Sequence, residues 1–160
     1  MATAHNNLSA FDAEKVPSGK GKKIALVVAE WNSQITEKLF QGAKHTLLEF
    51  GVAKSDILRI NVPGSFELIF GAKKALEKSV DAVVVIGSVI QGETKHFDFV
   101  CQGVTQGIVS LNLQSNSPTI FCVLTDNTLE QAIDRSGGRH GNKGVEAAIA
   151  ALKMIAVANH

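Results

Sequence analysis

Residues 81–100 read DAVVVIGSVIQGETKHFDFV, and this stretch decides the fold. It opens with a nearly continuous apolar run, which is typical of a strand buried on both faces of a parallel sheet. A turn containing Gly92 follows, and a helical pattern begins at about residue 95. This succession of strand, turn and helix predicts one βα unit of an alternating α/β protein.

The same alternation continues along the chain. Apolar runs predict four strands, at 23–30, 56–62, 81–90 and 119–125. Helical spacing of apolar residues predicts helices at about 33–50, 65–78, 95–113, 128–135 and 143–157. The pattern places on one side of the third helix the apolar residues Phe99, Val100, Val104, Ile108 and Leu111. This order predicts a three-layer α/β/α fold with a four-stranded parallel sheet in the flavodoxin-like order 2-1-3-4.

The length, composition and net charge are typical of a single globular domain. The chain has 160 residues, of which 45% are hydrophobic and 19% charged, and its net charge is +1. These values predict one domain at residues 23–160 after a flexible N-terminal arm at 1–22, and they give no reason to expect a nucleic-acid partner. Neither a signal peptide nor a membrane span is recognisable, and Cys101 and Cys122 are expected to be buried free thiols. A cytoplasmic protein without a membrane partner is therefore predicted.

Polar and aromatic residues follow the ends of the predicted strands, where open α/β sheets bind their ligands. Trp31 and Asn32 follow the first strand, and PGSFE, residues 63–67, follows the second. The Trp31 ring could stack on a planar heterocycle, or it could simply fill the core. Phe66 could likewise be a core residue, and Glu67 could serve only to complement a helix dipole.

The turn after the third strand could hold an anion. Gly92 allows close approach to the backbone, and the N–H groups near Thr94 can point at an anion together with the helix dipole. Alternatively, Thr94 caps an ordinary helix. A neutral His96 imidazole could accept a proton there, or His96 could be a plain surface residue. Further along, Arg135 and Lys143 could form a cationic lid for a phosphate or a solvated basic helix end.

Six stretches occur in a characteristic order: WN, PGSFE, GSVIQGETKHFDFV, FCVLT, EQAIDRSGG and GNKGVEAA. In this order they resemble the lumazine synthase family over about residues 23–157. The resemblance implies a transferase that condenses 5-amino-6-(D-ribitylamino)uracil with 3,4-dihydroxy-2-butanone 4-phosphate. Phosphate and water leave, in the penultimate step of riboflavin biosynthesis. It implies no metal and no organic cofactor, and the chain has no P-loop, GxGxxG, HExxH or CxxC motif.

The resemblance also implies a site shared between two subunits. His96 matches the proposed acid/base residue of the family, and Trp31 matches the aromatic residue that stacks on the pyrimidine. Phe121 and Arg135 match residues that reach in from the adjacent subunit, where Arg135 pairs with the phosphate. The other substrate-binding positions implied are Asn32, Ser65, Phe66, Glu67, Ser88, Val89, Ile90, Glu93, Thr94 and Lys143.

Members of the family assemble as pentamers, as decamers of two pentamers or as sixty-subunit icosahedral capsids, so a homo-oligomer built from pentamers is implied. The short SGGRHGNKG connection resembles that of the capsid-forming members. Riboflavin synthase is a candidate partner. Two alternatives stay open: a non-catalytic flavin- or lumazine-binding protein on the same fold, and a structural shell protein without activity. Retention of both His96 and Arg135 favours the enzyme, since simple binding needs no proton shuttle.

Overall fold

The structure is a computed structural model that describes residues 9–158. Helices and strands alternate along the chain as the sequence predicts. In chain order they are β1 (Ile24–Ala29), α1 (Ser33–Glu49), β2 (Ile57–Val62), α2 (Leu68–Leu76), β3 (Ala82–Ile90), α3 (His96–Gln114), β4 (Thr119–Asp126), α4 (Leu129–Arg135), β5 (Ser136–Gly138), β6 (Gly141–Asn142) and α5 (Lys143–Ala158). No helix within the described range combines the length and the apolar character that a membrane crossing requires.

The main sheet confirms the predicted topology. Its four strands are parallel and lie in the order β2-β1-β3-β4. The central strands β1 and β3 are apolar without alternation because helices cover both of their faces, and every residue of β1 is buried. Strand β2 lies at an edge, and its polar residues Arg59 and Asn61 are exposed.

The sheet divides the core into two clusters. Successive residues of a strand point to opposite faces, so Leu26 and Val27 of β1 belong to different clusters. Leu26 packs in the cluster that includes Leu39 of α1 and Leu152 of α5. Val27 packs in the cluster that includes Leu68 of α2. Both clusters leave the carboxyl edge of the sheet free for polar turns.

Helix α2 begins at Leu68, three residues later than predicted. The Leu68 amide donates to the Ser65 carbonyl oxygen at 3.3 Å, so residues 65–67 form a tight turn ahead of the helix. This turn keeps Phe66 and Glu67 exposed instead of committing them to a helical face.

Phe99 does not share the buried side of α3 with Val104 and Ile108, although the helical pattern groups these residues. The Phe99 side chain is 69% exposed, whereas Val104 and Ile108 are buried. Val100 belongs to the stripe of α3 that faces the sheet. Consecutive helical residues lie about 100° apart, so Phe99 turns away from that stripe.

The two cysteines have different surroundings. Cys122 is fully buried in the cluster with Leu26, and burial raises the pKa of its thiol to about 12. Cys101 on α3 is only half-buried, which corrects the expectation that both thiols lie in the core. Both are free cysteines.

The glycines after α4 form a small hairpin, which the sequence suggested only as an interruption between helices. Strands β5 and β6 pair antiparallel. Gly137 and Gly141 have φ angles of 122° and 82°, a backbone region that side chains disfavour. The hairpin sets the distance between the last residue of α4 and the first residue of α5.

Residues 9–22 lie against the domain. The Phe11 and Phe50 rings meet with their centroids 5.9 Å apart, and the Gly19 amide donates to the Phe50 carbonyl at 2.7 Å. The Asn142 amide donates to the Ser9 hydroxyl at 2.6 Å. The rest of the predicted arm, residues 1–8, lies outside the described residues.

Gly144 allows the close approach of α5 to α1. A Cβ atom at this position would lie 1.9 Å from the backbone oxygen of Leu39. We therefore expect Gly144→Ala to push the helices apart and to lower the free energy of unfolding by about 1–3 kcal/mol. Urea denaturation followed by far-UV circular dichroism measures the change. Gly92→Ala, where a Cβ would meet nothing within 4 Å, is the matched control. Equal midpoints for the two variants would contradict the expectation.

Candidate active site

An open cleft lies at the carboxyl ends of β1 and β3, beside the beginnings of α2 and α3. Its volume is about 560 Å³. Its lining consists of Trp31, Asn32, Gly64, Ser65, Phe66, Glu67, Ser88, Val89, Ile90, Gly92, Thr94, His96, Phe97, Phe99 and Val100. The three predicted polar turns therefore meet in one place, as the geometry of parallel sheets requires.

Exposed aromatic rings surround this cleft. Trp31 is 71% exposed, Phe66 is 54% exposed and Phe99 is 69% exposed. The core alternative for Trp31 and Phe66 is therefore wrong. Flat rings that stand free beside a cleft offer stacking surfaces to a planar heterocycle.

Asn32 links the ends of the two central strands. Its backbone is left-handed, with φ of 59°, and its side chain makes no cap for α1. Instead, the side-chain amide donates to the Ser88 carbonyl oxygen at 3.0 Å. Ser88 itself is buried, and its hydroxyl has no hydrogen-bond partner among the described residues. A buried polar group normally has a partner, so the Ser88 hydroxyl is an exception beneath the surface of the cleft.

Gly87 brings the second turn close to the sheet. A Cβ at Gly87 would lie 2.7 Å from the Ser65 hydroxyl oxygen, so only glycine leaves room for that side chain. Ser65 is buried, while Phe66 and Glu67 next to it are exposed on the cleft. The turn thus presents one hydroxyl, one ring and one carboxylate to the same space.

The third turn places the amino end of α3 on the cleft. Lys95 precedes the helix without a side-chain cap, and the Thr94 hydroxyl accepts a long hydrogen bond of 3.3 Å from the His96 amide. The first N–H groups of a helix lack partners within it and carry a partial positive charge, which attracts an anion. Thr94 and His96 line the cleft, whereas Glu93 lies on the same turn outside the lining.

Arg135 and Lys143 do not line this cleft within the chain. The Arg135 guanidinium donates through Nη1 to the His140 carbonyl and through Nη2 to Glu146 Oε1, both at 2.7 Å. The Lys143 ammonium lies 3.9 Å from the other oxygen of Glu146. These groups form a separate charged cluster between α4 and α5.

Phe121 on β4 lines a second depression, of about 690 Å³, on the other side of Phe97. Phe97 is the residue that both depressions share. The structure therefore leaves four predicted site residues outside the lining of the cleft. They are Glu93 on the neighbouring turn, Phe121 in the second depression, and Arg135 and Lys143 in the charged cluster.

Sequence reasoning missed several lining residues: Gly64, Phe97, Phe99 and Val100. The signal was available, because a helix that begins at the rim of a cleft must present its first turn to it. The helical pattern assigns Phe99 and Val100 only to one side of α3, and this hides their position at the cleft.

Asp126 ends β4 next to the charged cluster. Burial raises the pKa of its carboxyl group, and the positive charge of Arg135 lowers it by less. Its Oδ2 atom has no hydrogen-bond partner among the described residues. The ionised form of Asp126 therefore lowers the free energy of unfolding.

We expect Asp126→Asn to increase the free energy of unfolding at pH 7. A carboxyl group whose pKa is raised in the folded state loses stability as the pH rises from its ordinary value through the raised one, and the loss persists above it. The gain from asparagine should therefore shrink as the pH falls toward about 4, where the acid is increasingly protonated in both states. Urea midpoints at both pH values measure it, with the exposed Asp98→Asn as control. A less stable Asp126→Asn at pH 7 would refute the argument.

The described residues contain no group of three or more His, Cys, Asp or Glu side chains that could hold a metal ion. The groups that face the cleft are aromatic rings, hydroxyls, the Glu67 carboxylate, helix N–H groups and the His96 imidazole.

Comparison with known proteins identifies the family. The family model for 6,7-dimethyl-8-ribityllumazine synthase matches residues 21–159. The enzyme of that name from Flavobacterium johnsoniae is 62% identical over 155 residues, which cover 96% of this chain and 82% of the relative. Its namesake from Christiangramia forsetii is 61% identical over 96% of this chain and 93% of the relative. The enzyme of the same name from Parabacteroides distasonis is 55% identical over 97% of this chain and 98% of the relative. The chain belongs to the 6,7-dimethyl-8-ribityllumazine synthase family.

Proposed function

We propose that the chain catalyses the condensation of 5-amino-6-(D-ribitylamino)uracil with 3,4-dihydroxy-2-butanone 4-phosphate. The product is 6,7-dimethyl-8-ribityllumazine, and phosphate and water are released. The observation that carries this proposal is the single cleft that joins the exposed Trp31 ring to the amino end of α3 and to His96. One end suits a planar pyrimidine, and the other suits a phosphate.

Each part of the cleft has a proposed task. The pyrimidine stacks on Trp31, and Ser65, Phe66 and Glu67 hold its edge and ribityl chain. The N–H groups that open α3 bind the phosphate ester, together with the turn at Glu93 and Thr94. The strand end at Val89 and Ile90 supplies apolar walls.

The chemistry then consists of proton transfers between positioned groups. The pyrimidine amine attacks the ketone carbon and water leaves, which forms a Schiff base. A proton then leaves C3 of the butanone chain, the C4–O bond breaks and inorganic phosphate departs, which leaves an enol. The enol converts to a ketone, and the ribitylamino nitrogen attacks that carbonyl carbon and closes the ring with release of a second water. The His96 imidazole moves protons between these nitrogen, carbon and oxygen atoms as general acid and base. Holding both substrates in one orientation supplies much of the remaining rate acceleration.

The complete site is proposed to require a neighbouring subunit. Phe121 and Arg135 lie outside the cleft of their own chain, which supports their donation to the cleft of an adjacent copy. We therefore propose a homo-oligomer built from pentamers, with the sixty-subunit capsid favoured by the short hairpin connection. The free thiols of Cys101 and Cys122 support a reducing compartment such as the cytoplasm.

Mixing the two substrates with the purified protein tests the proposed reaction. Lumazine absorbance should appear in proportion to enzyme concentration. A protein that binds 6,7-dimethyl-8-ribityllumazine without forming it would instead be a non-catalytic binder. Sedimentation velocity on the same sample tests the assembly, and a monomer with full activity would exclude the shared site.

A further inference from the structure

Arg135 is held in place by two acceptors of its own chain. Its guanidinium donates to the His140 carbonyl oxygen and to the Glu146 carboxylate, each at 2.7 Å. The Arg135 and Glu146 side chains are only 15% and 24% exposed, so this pair is much drier than an ordinary surface ion pair. Charge-assisted hydrogen bonds in such surroundings fix the direction of a guanidinium strongly.

Glu146 connects the two elements that flank the hairpin. Arg135 is the last residue of α4, and Glu146 lies in the first turn of α5. Its second oxygen lies 3.9 Å from the ammonium of Lys143. One carboxylate thus lies beside Arg135, which the resemblance implies for the substrate phosphate, and beside Lys143, which it implies for the same shared site.

The charge of Glu146 is the wrong one for a phosphate site. A carboxylate beside a phosphate dianion repels it, so Coulomb attraction gives no reason for Glu146 to be there. The hydrogen-bond geometry does give a reason. A guanidinium has five N–H donors, and those not used by His140 and Glu146 stay directed away from these two acceptors.

We propose that Glu146 is a positioning residue: together with the His140 carbonyl it holds one edge of the Arg135 guanidinium, so that the remaining N–H groups face the substrate phosphate. This inference rests on the role of Arg135 in the proposed function. Glu146 acts through Arg135 and does not touch the reacting atoms. Glu146 favours phosphate binding because its side chain is long enough to hold the Arg135 guanidinium in the required direction. This gain outweighs the repulsion between the Glu146 carboxylate and the substrate phosphate.

Two variants separate geometry from charge. Glu146→Gln removes the negative charge but keeps an oxygen acceptor at the same distance from the backbone. Glu146→Asp keeps the negative charge on a side chain that is shorter by one methylene group. We expect Glu146→Asp to raise the KM for 3,4-dihydroxy-2-butanone 4-phosphate about tenfold, which corresponds to about 1.4 kcal/mol. We expect Glu146→Gln to stay within about threefold of the wild type, because a neutral acceptor retains much of the hydrogen bond. Inhibition by inorganic phosphate should weaken in parallel, while the KM for the pyrimidine stays unchanged.

A double-mutant cycle with Arg135→Ala shows whether Glu146 acts through Arg135. In the Arg135→Ala background, Glu146→Asp should have no further effect on the KM for the phosphate substrate. Glu37→Ala is the matched control, because Glu37 pairs with Arg59 on the exposed edge strand, away from the cleft. All variants are compared as assembled oligomers, each of which must sediment with the same profile as the wild type.

Three results would overturn the inference. They are tighter phosphate binding in both Glu146 variants, a Glu146→Asp effect that persists without Arg135, and equal KM values for Glu146→Asp and the wild type. Failure of the proposed function looks different: the wild type then forms no lumazine, or Arg135→Ala alone leaves the KM for the phosphate substrate unchanged.

Discussion

Replacing Arg135 with alanine is expected to raise the KM for 3,4-dihydroxy-2-butanone 4-phosphate about 100-fold, because its half-buried guanidinium is proposed to make charge-assisted hydrogen bonds to the substrate phosphate. The KM for the pyrimidine should change by less than about twofold, since the pyrimidine is proposed to lie at the Trp31 end. The proton-transfer steps do not use Arg135, so kcat at saturation should fall far less. Initial rates over a grid of both substrate concentrations measure these effects.

Arg139→Ala is the matched control for this experiment. Arg139 lies four residues further along, is 76% exposed and pairs with Asp134. Its removal should leave both KM values unchanged, because an exposed ion pair contributes little. The removal of Arg135 also leaves Glu146 with Lys143 as its nearest cation, so the assembly state is checked by sedimentation. An unchanged KM for the phosphate substrate in an assembled Arg135→Ala oligomer would contradict the assigned role.

Replacing His96 with alanine is expected to lower kcat about 100- to 1,000-fold, which is the lower part of the ~10²–10⁴-fold range that a positioned proton shuttle contributes. Both KM values should stay within about threefold, because the helix N–H groups and the Trp31 ring remain in place. Activity should persist, since the two substrates are still held together. Single-turnover absorbance traces at saturating substrate measure the chemical step directly.

His45→Ala serves as the control for His96→Ala. His45 lies on α1, is exposed and does not line the cleft. Its replacement should leave kcat unchanged. Two outcomes would refute the role of His96: complete loss of activity in an assembled oligomer, or a kcat equal to that of the wild type.

The sheet was predictable because its central strands are covered on both faces. Continuous apolar runs such as residues 24–29 cannot be half-exposed, and their alternation with helices leaves few topologies. The start of α2 was not predictable, because a tight turn at Ser65 and a first helical turn share the same residue types. The hairpin after α4 escaped prediction because its strands are too short to show a pattern.

The cleft was largely predictable from the rule that strand ends carry the ligand. Trp31, the turn at 63–67 and His96 all follow strands, and the structure gathers them. The pairing of Arg135 with Glu146 was not predictable. The two residues are eleven positions apart on different helices, and only the hairpin between them brings them into contact. Sequence patterns report periodicity within one element and carry no information on such a contact.

The left-handed backbone at Asn32 has a practical consequence for redesign. Residue 32 both adopts a left-handed backbone conformation and links the end of β1 to β3, because its side-chain amide donates to the Ser88 carbonyl oxygen. The orientation of the neighbouring residue, Trp31, is therefore set by the backbone and depends little on which aromatic ring stands at position 31. Protein engineers can therefore exchange Trp31 for other aromatic residues to tune ligand preference or fluorescence. Position 32 should keep its asparagine, because glycine would retain the left-handed backbone but lose the hydrogen bond to the Ser88 carbonyl oxygen.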